Sequence, residues 1–339
     1  MGFRITIDEF NQRLLERREG MRLLAPTVVP GTGRFSNTDV LRYAEIADLR
    51  QAELDRKSEF SAKEILLPIS QVLFQFSGKT WTEPEEDNRL TVALLRSCDI
   101  HSLRRFDEIY LRNGPADSRY RRRRDKLVVG LIGCPHSFDN CFCASLGTNT
   151  TQDYDFYLKR DDESVVLDPR TPQATSLFGF AAATPAEAVP EFAAENKIKL
   201  TLPQVPGPAA FDLPFWQEYD SRCIACGRCT FVCPTCTCFT MQDVFYRDNP
   251  DTGERRRVWA SCHVDGFTEM AGGHSFRKKN GERMRFKVLH KIYDYPKRFG
   301  YPMCTGCGRC DDACPEYISY ANAIIKLGQA LAAKPEGQA

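Results

Sequence analysis

Fifteen cysteines are distributed over the 339 residues, and two runs of four share the same spacing. The first run extends from Cys223 to Pro234 and the second from Cys304 to Pro315, and seven of their twelve positions are identical. Each run has the form C-x2-C-x2-C-x3-C-P. Three thiolates on a short loop reach three irons of a cubane cluster, whereas the proline turns the chain and directs the fourth thiolate elsewhere. The pattern therefore predicts two [4Fe-4S] clusters that exchange their fourth ligands.

This exchange assigns four thiolates to each cluster. The ligands of cluster 1 are Cys223, Cys226, Cys229 and Cys314. The ligands of cluster 2 are Cys304, Cys307, Cys310 and Cys233. Bacterial ferredoxins with two clusters use this spacing. The alternative is a zinc site within each run, but structural zinc usually takes two separated C-x2-C pairs.

Four further cysteines form a second constellation nearer the N-terminus. They are Cys98, Cys134, Cys141 and Cys143. Cys98 and Cys134 each follow a short apolar run, and the carboxyl ends of neighbouring parallel strands lie at one sheet edge. We therefore expect these thiols to face one crevice and to hold a third [4Fe-4S] cluster. Structural zinc, unligated thiols, and replacement of one cysteine by His136 remain open alternatives.

Three cysteines remain after these twelve ligands are assigned: Cys236, Cys238 and Cys262. Cys236 and Cys238 directly follow the first run, where small polarisable side chains can pack near a cluster. The sequence assigns them no chemistry of their own. A shifted register, in which Cys236 replaces Cys233 as a ligand, is the alternative.

The elements around the second constellation predict a parallel sheet. Residues 90–95 and 127–132 are apolar and rich in strand-forming side chains, which indicates two buried strands. Between them, Leu103 and Phe106 recur at helical spacing behind Asp99, a candidate helix N-cap. A strand–helix–strand unit of this kind predicts an α/β domain with a partly parallel sheet.

The second half of the chain has a helical pattern. Residues 203–214 are rich in Pro, Gly and Ala, which indicates a linker. Beyond it, residues 284–298 form a predicted helix, and Ile318, Ile324 and Leu327 share another helical face. The prediction is an α+β protein with an α/β domain at 1–210 and a mainly α-helical, ferredoxin-like dicluster domain at 211–339.

Composition excludes several classes of partner. The 46 basic and 45 acidic residues give a net charge of +1, so no global field favours nucleic acid or an acidic membrane. The basic run at residues 121–124 stands alone and predicts a solvated loop or a protein-docking patch. The longest apolar run, residues 127–133, is far too short to span a bilayer.

The N-terminal residues contain no apolar stretch of the signal-peptide kind, which predicts a cytoplasmic protein with reduced thiols. The sequence contains no G-x-G-x-x-G after a strand, no P-loop and no H-E-x-x-H, so no motif indicates nucleotide binding. We expect no catalytic side chain in this chain. The only chemistry predicted is the redox cycling of the cluster irons.

Three motifs together carry a family resemblance: R-x-C-D at residues 96–99, the G-C-P and C-x-C loop at residues 133–143, and the two dicluster runs. The chain resembles the iron–sulfur protein family that contains the A subunit of anaerobic sulfite reductase and the beta subunit of sulfhydrogenase. The resemblance extends from about residue 60 over most of the chain. It implies electron transfer from a flavin- and NADH-binding partner to a sirohaem-bearing partner that reduces sulfite to sulfide.

The spacing of the cysteines indicates clusters, whereas the substrate comes only from this resemblance. An electron-transfer subunit of a hydrogenase or of another anaerobic reductase fits the same motifs. A flavin-binding reductase subunit, in which the first domain itself oxidises a carrier, is the alternative of a different class.

Overall fold

The computed structural model describes residues 2–33, 35, 37–178, 184–205, 207–246 and 249–333. These residues form a mixed α/β structure with two sheets. The strands are β1 (Gly2–Thr6), β2 (Met21–Val29), β3 (Val40–Ile46), β4 (Ser70–Ser77), β5 (Thr80–Thr82), β6 (Leu90–Leu95), β7 (Leu127–Ile132), β8 (Phe156–Arg160), β9 (Ser164–Pro169), β10 (Thr184–Ala186), β11 (Phe239–Phe245) and β12 (Thr252–Trp259). The helices are α1 (Ile7–Arg17), α2 (Ser97–Asp107), α3 (Ser118–Asp125), α4 (Pro172–Phe178), α5 (Glu218–Arg222), α6 (Arg228–Phe231), α7 (Asn280–Leu289), α8 (Tyr295–Phe299), α9 (Arg309–Asp312) and α10 (Tyr320–Ala332).

The larger sheet has the strand order β10-β1-β9-β8-β7-β6-β2-β3. Its centre is parallel, because β2 pairs with β6, β6 with β7, and β7 with β8 in the same direction. Every residue of β7 is buried, as expected for a central strand that is covered on both faces. The predicted strand–helix–strand unit and the partly parallel sheet are therefore confirmed.

Helix α2 begins earlier than a cap at Asp99 would require. Its N-cap is Arg96, which has an extended backbone with φ −82° and ψ 159°. Asp99 is the third residue of the helix and is fully buried. The prediction that Asp99 caps the helix is therefore wrong, and its carboxylate is used for a tertiary contact instead.

The smaller sheet is antiparallel and has the order β11-β12-β4-β5. Strand β12 pairs with β4 through seven registered residue pairs, with a bulge between Arg255 and Arg256. Backbone pairing therefore joins segments from both sides of residue 210. The helical pattern of the second half did not predict the β11–β12 hairpin, and the division at residue 210 stays a prediction.

Three apolar cores hold these elements. Two lie on opposite faces of the large sheet, one around Phe10 and Phe156, and the other around Phe106 and Tyr120. The third packs α7 and α10 together with Trp216 and includes Phe142 from the loop after β7. Through Phe142, the segment that carries Cys141 and Cys143 belongs to the core of the second half.

The predicted helix at residues 284–298 is a longer, irregular one. It begins at Asn280 as α7, continues as a π-helical turn at His290–Asp294, and ends with α8 at Phe299. No described helix combines the length and the apolar character that crossing a bilayer requires.

Candidate iron–sulfur centres

The first predicted ligand set surrounds one cavity, which we call cavity 1. Its lining includes Cys223, Cys226, Cys229 and Cys314. The first three lie on the loop before α6 and on α6 itself, whereas Cys314 follows α9. Gly227 adopts a left-handed backbone with φ 74°, and a Cβ there would lie 2.9 Å from the Ser261 side chain. The structure therefore brings together the four thiols that the exchanged pattern assigns to cluster 1.

The second predicted set surrounds a separate cavity, cavity 2. Its lining includes Cys304, Cys307, Cys310 and Cys233. The loop that carries Cys304 turns at Gly306 and Gly308, with φ 63° and 70°, and the Gly306 amide donates to Cys304 Sγ at 3.4 Å. An amide aimed at a ligand sulfur stabilises thiolate charge and helps to set a cluster's potential. Cavity 2 therefore also unites the predicted ligands.

The donor chemistry of both cavities fits iron–sulfur clusters. Each cavity offers four thiols, and the motif proline Pro315 lines cavity 1 whereas Pro234 lines cavity 2. Within the described ranges, no three His, Cys, Asp or Glu side chains are grouped closely enough to hold one metal ion. A cubane is larger than an ion, because its thiolates bind separate irons at its corners.

Burial dominates the acid–base chemistry of these thiols. Loss of solvation raises the pKa of Cys304 to about 12 and also raises the pKa of Cys229 and Cys310. At neutral pH, these thiols therefore keep their protons until a metal displaces them. Cluster assembly would release these protons and is favoured at higher pH.

The four thiols of the predicted third site also lie in one neighbourhood. Cys98 is the second residue of α2, and Cys134 follows β7. Burial and the nearby charges of Cys141 and Cys134 raise the pKa of Cys143 to about 11, whereas a hydrogen bond from Asn196 opposes this shift. The Asn196 amide donates to Cys143 Sγ at 3.6 Å.

Cys98 interacts electrostatically with another cysteine of this predicted site, Cys143. Burial raises the pKa of Cys98 well above its usual value, and the thiols of Cys307 and Cys143 add to the rise. The His136 carbonyl accepts a hydrogen bond from Cys134 Sγ at 3.4 Å, whereas its ring packs on Phe138 with centroids 5.6 Å apart. Electrostatic interactions thus link the four cysteines in pairs, and the His136 ring packs against an aromatic side chain.

We call the four cysteines of the predicted third site, Cys98, Cys134, Cys141 and Cys143, the third thiol group. Hydrogen bonds join this group to the loop that lines cavity 2. Cys141 Sγ donates to the Cys307 carbonyl at 3.4 Å, and the Phe142 amide donates to the Gly306 carbonyl at 2.8 Å. Lys57 bridges the two segments, since its Nζ lies 3.8 Å from Cys141 Sγ, 3.2 Å from the Cys307 oxygen and 2.6 Å from Asp312. The third group and cavity 2 are therefore direct neighbours.

The three cysteines without a predicted role lie beside the same region. The Cys238 and Cys262 thiols lie beside each other, and the Cys236 thiol lies beside that of Cys233. The β11–β12 hairpin brings Cys238 and Cys262 together, because Ala260 donates to the Cys238 carbonyl at 3.0 Å. Cys233, the ligand that the sequence predicts, lines cavity 2, and Cys236 lies against it.

Sequence reasoning missed the buried cations of the site. Lys63, Lys287 and Lys291 are each no more than 4% exposed. Lys63 Nζ donates to the Thr230 and Cys236 carbonyls at 3.1 and 3.4 Å and lies 4.0 Å from the Trp259 ring centroid. The available signal was the four-residue spacing of Lys287 and Lys291, which places both on one face of the predicted helix.

The arginine run on α3 is largely neutralised within the chain. Arg123 pairs with Glu86 at 2.9 Å, and Arg124 with Asp107 at 3.2 Å. The side chains of Arg123 and Glu86 are each 19% exposed. These contacts use the charges of the run in packing α3 against the rest of the chain.

Two comparisons with known proteins agree with this geometry. The family model of the 4Fe-4S dicluster domain matches residues 222–318, which include all eight cysteines of the two runs. The chain therefore contains a 4Fe-4S dicluster domain. Over 314 residues it is 27% identical to the sulfhydrogenase 2 subunit beta of Pyrococcus furiosus, an alignment that covers 88% of this chain and 92% of that protein. No solved structure matches the chain.

Proposed function

We propose that this chain is an electron-transfer iron–sulfur subunit of a multisubunit oxidoreductase. The observation that carries the proposal is the partition of the eight motif thiols into two cavities, each with three thiols from one run and one from the other. Clusters of this type accept and release single electrons, and the cofactor supplies that chemistry. The chain supplies the thiolates, the buried cations around them and the protein surfaces through which partners bind.

The order of the centres supports a relay. The third thiol group contacts the loop of cavity 2, and cavities 1 and 2 share lining residues. Cys226 at cavity 1 is exposed, whereas Cys307 at cavity 2 is buried. We propose that electrons pass through cluster 2 between the third cluster and cluster 1, and that cluster 1 exchanges electrons with a partner near Cys226.

Anaerobic iron, sulfide and zinc analysis of the purified chain tests the cluster assignment. About twelve irons with matching sulfide per chain support three clusters, ligated as assigned by the dicluster cysteines and by Cys98, Cys134, Cys141 and Cys143. About eight irons would remove the third cluster. Zinc alone would reject the electron-transfer function.

The family resemblance supports a specific complex, anaerobic sulfite reductase, in which this chain is the iron–sulfur component. In that role the chain takes electrons from a flavin- and NADH-binding partner and passes them to a sirohaem protein that reduces sulfite to sulfide. The chain itself is then non-catalytic and cytoplasmic. Its α/β domain at 1–210 carries the third cluster, and its dicluster domain at 211–339 carries the other two.

A second candidate is the electron-transfer subunit of a sulfhydrogenase. The similarity to sulfhydrogenase 2 subunit beta, which extends over most of both chains, supports it. Both candidates use the same relay and differ in the catalytic partner. A flavin-binding reductase subunit is the candidate of another class, and a yellow chromophore extracted from the isolated chain would support it.

Anaerobic affinity purification from the native host distinguishes these candidates. A co-purifying protein with sirohaem absorption supports the sulfite reductase. A co-purifying protein with hydrogenase activity supports the sulfhydrogenase and rejects the sulfite reductase role. The iron analysis tests whether the clusters are present, whereas this purification tests which partner binds. Either prediction can therefore fail while the other holds.

A further inference from the structure

Lys287 lies between the two candidate cluster cavities. It projects from α7, and together with Tyr320 of α10 it is among the residues that line both cavity 1 and cavity 2. Its ammonium group lies 5.1 Å from the Tyr320 ring centroid. Lys291, one helical turn further along, lines cavity 2. Two lysines on one helix face are therefore placed differently with respect to the two clusters.

The Lys287 side chain directly approaches ligands of both clusters. It lines cavity 1 together with Cys229 and cavity 2 together with Cys310. An ammonium group at this position therefore reaches cysteines of both ligand sets.

Within the described ranges, no carboxylate forms an ion pair with Lys287. A buried ammonium without a counter-charge is costly, and buried charges in proteins are paired or hydrogen-bonded. A thiolate-ligated iron–sulfur cluster is anionic and meets this requirement. Lys291 is also a buried ammonium for which a cluster would supply the counter-charge. Its Nζ donates to Thr235 Oγ1 at 2.7 Å, and it lines cavity 2 together with Cys233 and Cys304.

We propose that Lys287 raises the reduction potentials of both clusters together, whereas Lys291 raises that of cluster 2 more than that of cluster 1. This inference rests on the proposed function, because it requires clusters in both cavities. Reduction adds one electron to a cluster and makes it more negative, and a nearby positive charge stabilises that form. Lys287 therefore sets the common level of the two potentials, and Lys291 sets the difference between them.

The size of the effect follows from Coulomb's law. A unit charge about 10 Å from the added electron, at an effective dielectric constant of about 20, changes the ratio of reduced to oxidised cluster by about tenfold or more. A tenfold change in a one-electron couple corresponds to about 59 mV. Such a shift is readily measured in a potentiometric titration.

The test is an anaerobic redox titration followed by electron paramagnetic resonance on the full chain. Lys287→Met should lower the reduced fraction of both clusters at a fixed potential by about tenfold each. Lys291→Met should lower that of cluster 2 by about tenfold and that of cluster 1 by less. Lys287→Arg, which retains the charge, should restore both potentials. Lys297→Met, at an exposed lysine of α8, is the matched control and should change neither.

Unchanged potentials in a fully loaded Lys287→Met protein would overturn the inference, as would a shift confined to one cluster. If Lys287→Met does not load both clusters, Lys287→Gln keeps an N–H donor for Cys229 without the charge and should produce the same paired shift. Iron and sulfide contents and the resonance spectrum are recorded for every variant. A wild-type chain without clusters would reject the proposed function, whereas loaded variants with unchanged potentials reject only the role of the lysines.

Discussion

Asp99 and Arg309 form a bidentate ion pair in the interior, with both oxygen–nitrogen distances at 2.9 Å. The two side chains are 0% and 1% exposed. Tyr43 donates to the same carboxylate at 3.1 Å, and Arg309 also donates to the Ser58 carbonyl at 2.9 Å. Asp99 follows Cys98 on α2, and Arg309 lies between Cys307 and Cys310. The pair therefore ties the third thiol group to cavity 2 and fixes their separation.

Asp99→Asn should destabilise the chain by about 3–5 kcal/mol, because it leaves the buried Arg309 guanidinium without its counter-charge. The measurement is anaerobic urea unfolding, followed by tryptophan fluorescence and by cluster absorbance. Replacing both partners, as in Asp99→Leu with Arg309→Met, should recover part of the loss because no charge stays buried.

The control for this experiment is the exposed pair of Lys199 and Glu195, which lie 2.6 Å apart with side chains more than 70% exposed. Lys199→Ala should leave the unfolding midpoint unchanged, since solvent screens such pairs. A midpoint for Asp99→Asn that matches this control would mean that the buried pair does not stabilise the fold.

Cys98→Ser should remove about four irons per chain and leave the spectrum of the two dicluster centres intact. The expected loss follows from the grouping of Cys98 with Cys143 near Cys307. Iron analysis and low-temperature resonance spectra of the purified variant provide the measurement. Cys262→Ser is the matched control, because that buried thiol lies beside Cys238, outside the assigned ligand sets. Unchanged iron in Cys98→Ser would show that Cys98 is not required as a ligand.

His290 should make the chain sensitive to acid. Burial, Lys291 and Arg277 lower the pKa of His290 to about 4. In the unfolded chain its pKa is about 6.5, so between these values the unfolded state binds a proton that the native state does not. Stability from this group is therefore complete above pH about 6.5 and is lost as the pH falls towards 4, by at most about 3 kcal/mol.

His290→Phe removes this proton and keeps an aromatic ring against Phe286, whose centroid lies 5.2 Å from that of His290. The unfolding midpoints of wild type and variant, measured from pH 7.5 to 4.5, should therefore converge or cross as the pH falls. Parallel profiles would contradict the prediction. Cluster loss in acid affects both proteins, so the difference between them isolates the histidine.

The sequence predicted features that depend on local spacing. The strands that precede Cys98 and Cys134 follow from apolar runs, and the two groups of four motif thiols follow from duplicated spacing. The pairing of β12 with β4 was not predictable, because it joins residues about 180 positions apart and neither strand has a strongly alternating pattern. The role of Asp99 was missed for a related reason: a helix start at Ser97 and a cap at Asp99 look alike until Arg309 is seen to lie opposite.

The close approach of the third thiol group to cavity 2 predicts a different outcome at two glycines that both have a left-handed backbone. At Gly308, φ is 70° and an added Cβ would overlap the Asn140 carbonyl, whereas at Gly300, φ is 83° and no atom lies within 4 Å. Gly308→Ala should therefore separate the two loops and reduce the iron content by about eight per chain, from cluster 2 and the third cluster.

Gly300→Ala is the matched control, because it incurs only the backbone cost of a left-handed alanine, about 1–2 kcal/mol. Its iron content should stay at the wild-type level. Iron and sulfide analysis after anaerobic purification measures both variants, and circular dichroism reports whether each is folded. Equal iron contents in the two variants would mean that the contact between Gly308 and Asn140 does not support the clusters. If Gly308→Ala loses only cluster 2, the third cluster does not depend on the contact between Gly308 and Asn140. The four cysteines of the third thiol group would then hold their metal without the neighbouring loop.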